Sequence, residues 1–147
     1  MHVRYISKEN VIDANKKATS AYGQPHFVIA EANLEHVLEA VQHYGENISD
    51  EDERILRKAA YLLYHLAYDA HVFTDGNKRT ALVSTSFFLS INHFAIMFNA
   101  DNHEAEEERM AKLVKDIAEG KKSISAAHKW LKSVVLPFEE SDLEDTG

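Results

Sequence analysis

The sequence predicts an all-α fold, a compact bundle of about six helices with one short β-prone flap. Three observations predict it. Apolar residues recur at helical spacing through every long patterned stretch. Short segments holding glycine, proline or a capping residue separate those stretches. Neither an internal repeat nor a linker divides the 147 residues, which is the size of one ordinary domain.

Ser7 is placed to cap a first helix, with Val11, Ile12, Ala14, Ala18 and Ala21 on its apolar side and Gly23 at its end. Pro25 enforces a break, and His26-Phe27-Val28-Ile29-Ala30 is a β-prone run. Leu34, Val37, Leu38 and Val41 mark a second helix from Glu31 to Tyr44, stopped by Gly45. Ser49 or Asp50 caps a third, whose stripe runs through Ile55, Leu56, Ala59, Ala60, Leu62, Leu63, Leu66 and Ala67 over about twenty residues, or roughly 30 Å. A chemically dense loop follows, and then a fourth helix that is apolar almost all round, as one buried in a core would be.

Asn92 and His93 break that pattern, and Phe94 to Phe98 is a strand or an extended crossing. Asp101 is expected to cap a fifth helix, with Glu104, Glu106, Glu107 and Glu108 as a solvated acidic start that suits the helix dipole. Met110, Leu113, Val114, Ile117 and Ala118 form its buried face, and Gly120 ends it. Ser123 or Ser125 opens a sixth helix carrying Trp130, Leu131 and Val134, which stops before Pro137. The domain is expected over residues 1–137. Residues 138–147, with Glu139, Glu140, Asp142, Glu144 and Asp145, read as an acidic, disordered tail.

Composition narrows the function classes. A formal charge of −8 argues against a broad nucleic-acid surface, so no direct nucleic-acid binding is expected. With no cysteine there is no disulfide, thiolate metal site or cysteine nucleophile. No membrane-length apolar run and no signal-peptide pattern is present, so a soluble, cytoplasmic protein without membrane contact is expected.

The chemistry concentrates in His71-Val-Phe-Thr-Asp-Gly-Asn-Lys-Arg-Thr-Ala81, a loop entering the N-terminus of the fourth helix. Such a terminus offers unpaired N–H donors and partial positive charge, and so attracts anions. Thr74, Gly76, Asn77, Lys78 and Arg79 are the candidate phosphate-binding residues: Gly76 admits close backbone approach, and the two cations suit phosphate. Asp75 is the carboxylate a nucleotide-borne Mg²⁺ would want. His71 brings an imidazole, the side chain suited to taking a proton near neutral pH. A rival reading gathers His65, Asp69, His71 and Asp75 around a divalent metal for phosphodiester hydrolysis, but leaves Lys78 and Arg79 without a task. A third is a non-catalytic docking module, which would tolerate changes at His71.

At these residues the chain resembles the Fic/Doc (Fido) family, whose signature runs His-x-Phe-x-Asp/Glu-Gly-Asn-Gly/Lys-Arg. Lys78 in the variable slot, with Thr80-Ala81-Leu82 after it, is closer to the Doc branch, toxins of phage and bacterial addiction modules, than to Fic adenylyltransferases. Ser7-x-Glu9, Tyr22-Gly23-x-Pro25, and Gly120 with Ser123 and Ser125 extend the likeness over roughly residues 5 to 136. The resemblance implies a helical fold and a flap at His26, Phe27 and Val28 that lays a target peptide along its edge. It implies Phe73 as a core anchor and His71 as the base. The donor would be ATP or another nucleoside triphosphate with Mg²⁺, and the acceptor a protein hydroxyl, by analogy on elongation factor Tu, whose modification blocks translation.

Two departures from the Fic pattern favour transfer of the γ-phosphoryl group over AMP transfer, the alternative. Fic enzymes have glycine at Lys78 and a second arginine at Leu82. The self-restraining element Ser/Thr-x-x-x-Glu-Gly/Asn is also missing, because Glu9-Asn10, Glu46-Asn47 and Glu119-Gly120 are preceded at that spacing by Tyr5, Gln42 and Lys115. The expectation is a cognate antitoxin acting in trans.

Overall fold

The computed structural model describes residues 2–23 and 27–139. Six helices form the body: α1 Lys8–Ser20, α2 Glu31–His43, α3 Glu51–Ala67, α4 Asn77–Ile91, α5 His103–Ala118 and α6 Ile124–Val134. Two three-residue strands, β1 Phe94–Ile96 and β2 Val135–Pro137, pair antiparallel with Ala95 opposite Leu136. The all-α class read from periodicity is the class observed.

Side-chain caps set three of the six helix starts. Ser7 and Asn10 close a reciprocal capping box on α1, with Asn10 N donating to Ser7 Oγ at 3.1 Å and Ser7 N to Asn10 Oδ1 at 2.9 Å. Of the paired candidates, Asp50 caps α3 and Ser123 caps α6. Asp101 does not cap α5. A 3₁₀ turn over Ala100–Asn102 precedes that helix, and Asn99 caps the turn through a 3.0 Å bond from Asp101 N. Glu106 reaches back to accept from Asn99 N at 2.7 Å. The residue at the N-cap of α5 itself is Asn102, and it makes no side-chain cap bond.

Helix α3 is the axis, packing on α2, α4, α5 and α6, while α1 lies across α4 and α2. Its stripe of Ile55, Ala59, Leu62, Leu63 and Leu66 is buried, as the pattern requires. Lys58 is buried too, and its ammonium donates to Val41 O at 2.9 Å, Gln42 O at 3.0 Å and Glu46 Oε1 at 3.0 Å. It closes the carbonyl end of α2, where a cation is doubly suited.

Helix α4 departs from expectation, since it is not buried all round. Thr80, Ala81, Ser84, Thr85, Phe88 and Leu89 face inward, but Val83 and Phe87 are 49% and 42% exposed. Helices α1 and α3 cover only part of its circumference, and the third side stays open. At its far end Asn92 accepts from Arg4 N at 2.9 Å and donates to Arg4 O and Phe88 O, both at 2.8 Å. Phe94 to Ile96 is the strand allowed for by the sequence. Its partner Val135–Pro137 begins where α6 ends, one to two residues earlier than the stop before Pro137 that the sequence suggests. Phe138 N then bonds His93 O at 2.9 Å, so the chain is still tied to the domain at its acidic end; residues 140–147 lie outside the described residues. Among the described residues no helix is long and apolar enough to cross a membrane.

Candidate active site

Helix α3 ends at Ala67, and the backbone turns through Ala70, whose carbonyl accepts from Asn33 Nδ2 at 2.7 Å. His71 follows with φ of 45°, in the left-handed region. For a side chain bearing a Cβ this conformation costs on the order of 1 kcal/mol or more, and such strain gathers at functional sites. The imidazole is exposed. Val72 and Phe73 then turn inward and are buried, so Phe73 anchors the loop in the core.

The flap is bonded to this loop. Ile29 N and Ala30 N donate to Val72 O at 2.8 and 3.2 Å, Val28 bridges Phe73 in antiparallel fashion, and Thr74 N donates to Phe27 O at 3.1 Å. The Thr74 hydroxyl also reaches Phe27 O, at 3.4 Å. Phe27 and Ile29 remain about three-fifths exposed, at 60% and 62%, and Val28 is 37% exposed. An apolar, half-paired strand thus lies beside His71. His26, expected in the flap, lies outside the described residues.

Beyond Thr74 the turn is braced from both sides. Asn77 Nδ2 donates to Phe73 O at 2.8 Å while its Oδ1 accepts from Phe73 N at 3.2 Å. Asn77, expected at the phosphate, therefore has its amide engaged in holding the loop to the helix start. From α1, Asn15 Nδ2 donates to Asp75 O at 2.8 Å and to Thr80 Oγ1 at 3.1 Å. Gly76 is the N-cap of α4 with φ of 77°, and a Cβ there would stand 3.1 Å from both Asn15 Nδ2 and Thr19 Cγ2. Conformation and contact both demand glycine.

No described side chain caps α4. Its first helical bond runs from Thr80 N to Gly76 O at 2.9 Å, so the N–H groups before it belong to the positive end of the dipole. Lys78 and Arg79 stand exposed on that first turn, and Asp75 is half-buried beside it. The Arg79 guanidinium carbon lies 3.6 Å from the centroid of the Tyr22 ring. The motif therefore runs from an exposed, base-capable imidazole at the head of the loop to an anion-attracting helix start with two exposed cations at its end.

The rival metal reading is corrected by geometry. Among the described residues no three His, Asp or Glu side chains converge as a metal requires. His65 Nδ1 pairs with Asp69 Oδ1 at 2.8 Å, and the His65 ring packs on Tyr61 and Tyr64 at 4.3 and 4.9 Å. Those two residues shape a pocket beside the loop with Asn33, His36 and Ala70.

Asn15, Thr19 and Tyr22 are the site residues that sequence reasoning missed. The available signal was a polar pair, Asn15 and Thr19, continuing the stripe begun by Val11 on a helix side that should be apolar; Val11, Asn15 and Thr19 are fully buried, while Tyr22 is exposed.

A model of the Fic/DOC family matches residues 4–89, which is more than half of the chain and spans α1 through most of α4, the whole motif included. No curated protein matches the chain.

Proposed function

The chain belongs to the Fic/DOC family, enzymes that transfer phosphate-containing groups to proteins, and from that premise we propose that it is a Doc-like toxin moving the γ-phosphoryl group of ATP, or another nucleoside triphosphate, onto a protein hydroxyl. The observation that carries this reading is the pair Lys78 and Leu82. Lys78 puts an exposed cation on the first turn of α4, where the Fic pattern has a glycine that bares the backbone. One turn on, Leu82 packs against the core where the second arginine of that pattern would hold a terminal phosphate. One phosphoryl group at the helix start, gripped by a point charge, suits this arrangement better than an α-phosphate lying close against backbone.

In the step proposed, the acceptor hydroxyl oxygen bonds to the γ-phosphorus as the β–γ bridging P–O bond breaks, and the nucleoside diphosphate leaves. The hydroxyl proton passes to the His71 imidazole. Lys78, Arg79 and the first-turn N–H groups of α4 stabilise the charge spread over the phosphoryl oxygens, and catalysis is mostly positioning plus electrostatics. Mg²⁺ arriving with the nucleotide would offset phosphate charge, and Asp75 is the carboxylate available to hold it. The exposed edge at Phe27, Val28 and Ile29 takes the acceptor segment by strand addition, which brings its hydroxyl to His71. By the resemblance, that acceptor is elongation factor Tu, met in the cytoplasm.

Restraint comes from outside the chain in this reading. A groove of about 190 Å³ between α1 and α4, with Ile6, Ala14, Val83 and Phe87 among its walls, offers an apolar bed for an antitoxin segment that folds on binding. Expression without a partner should arrest growth of a sensitive cell. Harmless high-level expression of folded protein would count against the toxin role.

The deciding experiment incubates the protein with Mg²⁺, a cell extract and ATP labelled at either the α or the γ position. Label reaching an acceptor protein from the γ position only is the expected result. Label from the α position would mean AMP transfer and overturn the reading of Lys78, and no labelled protein from either would leave a docking module.

A further inference from the structure

Tyr22 is 63% exposed, so its ring contributes little to the core, yet the Arg79 guanidinium carbon sits 3.6 Å from the ring centroid. At that distance the guanidinium must lie over the ring face. Its N–H donors project around the rim of its own plane, so stacking on the ring sets the plane in which they point. A free arginine samples many rotamers and loses that freedom when it grips an anion. One already laid on a ring loses less.

The same side of the molecule fixes the rest of the turn. Asn15, fully buried in α1, ties Asp75 O and Thr80 Oγ1 together, and the Thr19 methyl is among the groups nearest Gly76. Tyr22 stands in the turn that continues this face, its N–H bonded to Thr19 O at 3.2 Å. Asn15, Thr19 and Tyr22 thus back Asp75, Gly76 and Arg79 in one stripe.

We propose that Tyr22 is a positioning residue for the triphosphate, holding the Arg79 guanidinium in its anion-binding plane, and that Asn15 is a second one, holding the Asp75-Gly76 turn. The inference rests on the phosphoryl-transfer reading for what is bound, and on the contacts of α1 for how the site is held. Helix α1 is on this account part of the site's machinery, although it carries none of the motif.

The test compares Tyr22→Phe with Tyr22→Leu, substitutions at an exposed ring that leave the fold alone. Tyr22→Leu should raise KM for the nucleotide about fivefold while kcat changes less, and Tyr22→Phe should keep the parent KM because the ring face remains. Parent-like KM in Tyr22→Leu, or equal impairment in both variants, overturns the assignment. Asn15→Asp keeps the shape but removes the donor. It should lower kcat/KM about tenfold or more in protein whose circular dichroism is that of the parent. Parent-like kinetics in folded Asn15→Asp removes Asn15 from the proposal, and if that variant unfolds, Asn15→Ser takes its place under the same criterion.

Should the parent chain transfer no group, the phosphoryl-transfer reading falls while the Tyr22 assignment is still decided by calorimetric binding of inorganic triphosphate. Weaker binding by Tyr22→Leu than by Tyr22→Phe supports it. Equal binding by parent and both variants, or none by the parent, overturns it.

Discussion

The carbonyl end of α2 and the amide end of α4 each pair unsatisfied helix-end groups with a lysine, and they do opposite things with them. At α2 the Lys58 ammonium is fully buried and divides its donors among Val41 O, Gln42 O and Glu46 Oε1, so nothing is left for a ligand. The bond from Lys58 also holds the Glu46 carboxyl below the usual range, with burial opposing it. At α4 the cap is a glycine, no described side chain closes the end, and Lys78 stands in solvent. Satisfaction yields stability at one end. At the other its absence leaves N–H donors and positive charge of the kind that attracts an anion.

That contrast breaks first, and hardest, at His71. His71→Ala should cut transfer by about a thousandfold, as loss of a general base does, with a melting temperature near that of the parent. His71→Gly should lose as much activity yet melt higher than His71→Ala, because glycine relieves the left-handed backbone by about 1 kcal/mol. Equal melting of the two variants would deny that strain is stored there. Parent-rate transfer by a folded variant would remove His71 as the base.

The opposite behaviour is expected at the sealed end. Lys58→Met leaves two carbonyls and Glu46 without their cation and should cost about 2–3 kcal/mol, read as a denaturant midpoint shifted at constant slope. Transfer per folded molecule should hold. Lys78→Ala should show the mirror image, parent stability with transfer reduced by about a hundredfold. If Lys58→Met proved as stable as the parent, the sealed-end account would be wrong.

A smaller effect comes from His128, whose protonation the α3–α6 interface disfavours. His128 is buried, and burial and then the nearby Arg57 depress its pKa below the ordinary 6.5, although Glu53, whose Oε1 lies 2.8 Å from Nε2, pulls the other way. Lys132, 3.8 Å from Glu53, adds to the depression. The unfolded chain therefore binds the proton more readily than the folded one. Stability from this group is full above pH 6.5 and declines as pH falls below it towards the folded value. Melting of the parent should fall more steeply over that range than melting of His128→Gln; parallel profiles would show that His128 is not the group responsible.

Much of the fold was legible because its signals are local. Ser7, Asp50 and Ser123 sit beside the N–H groups they cap, and the stripe of α3 repeats every turn. What escaped depends on distant partners. Asn15 meets Asp75 across sixty residues of chain, and Val135–Pro137 is a strand only because Phe94–Ile96 lies next to it. Lys58 reads as a surface residue until the end of α2 is seen above it. The motif itself was legible as chemistry, since His71, Asp75, Lys78 and Arg79 are dense in sequence. Its support from α1 was not, because Tyr22 and Arg79 are brought together by folding alone.

Arg4 and Phe138 are bonded to the neighbouring residues Asn92 and His93, just past the end of α4. The motif stands at the other end of that fifteen-residue helix, about 22 Å away at the helical rise. A fluorescent label or surface tether placed at Arg4 or Phe138 would sit at the end of α4 opposite the motif. Anchored by that end, the molecule presents the motif to whatever drifts past.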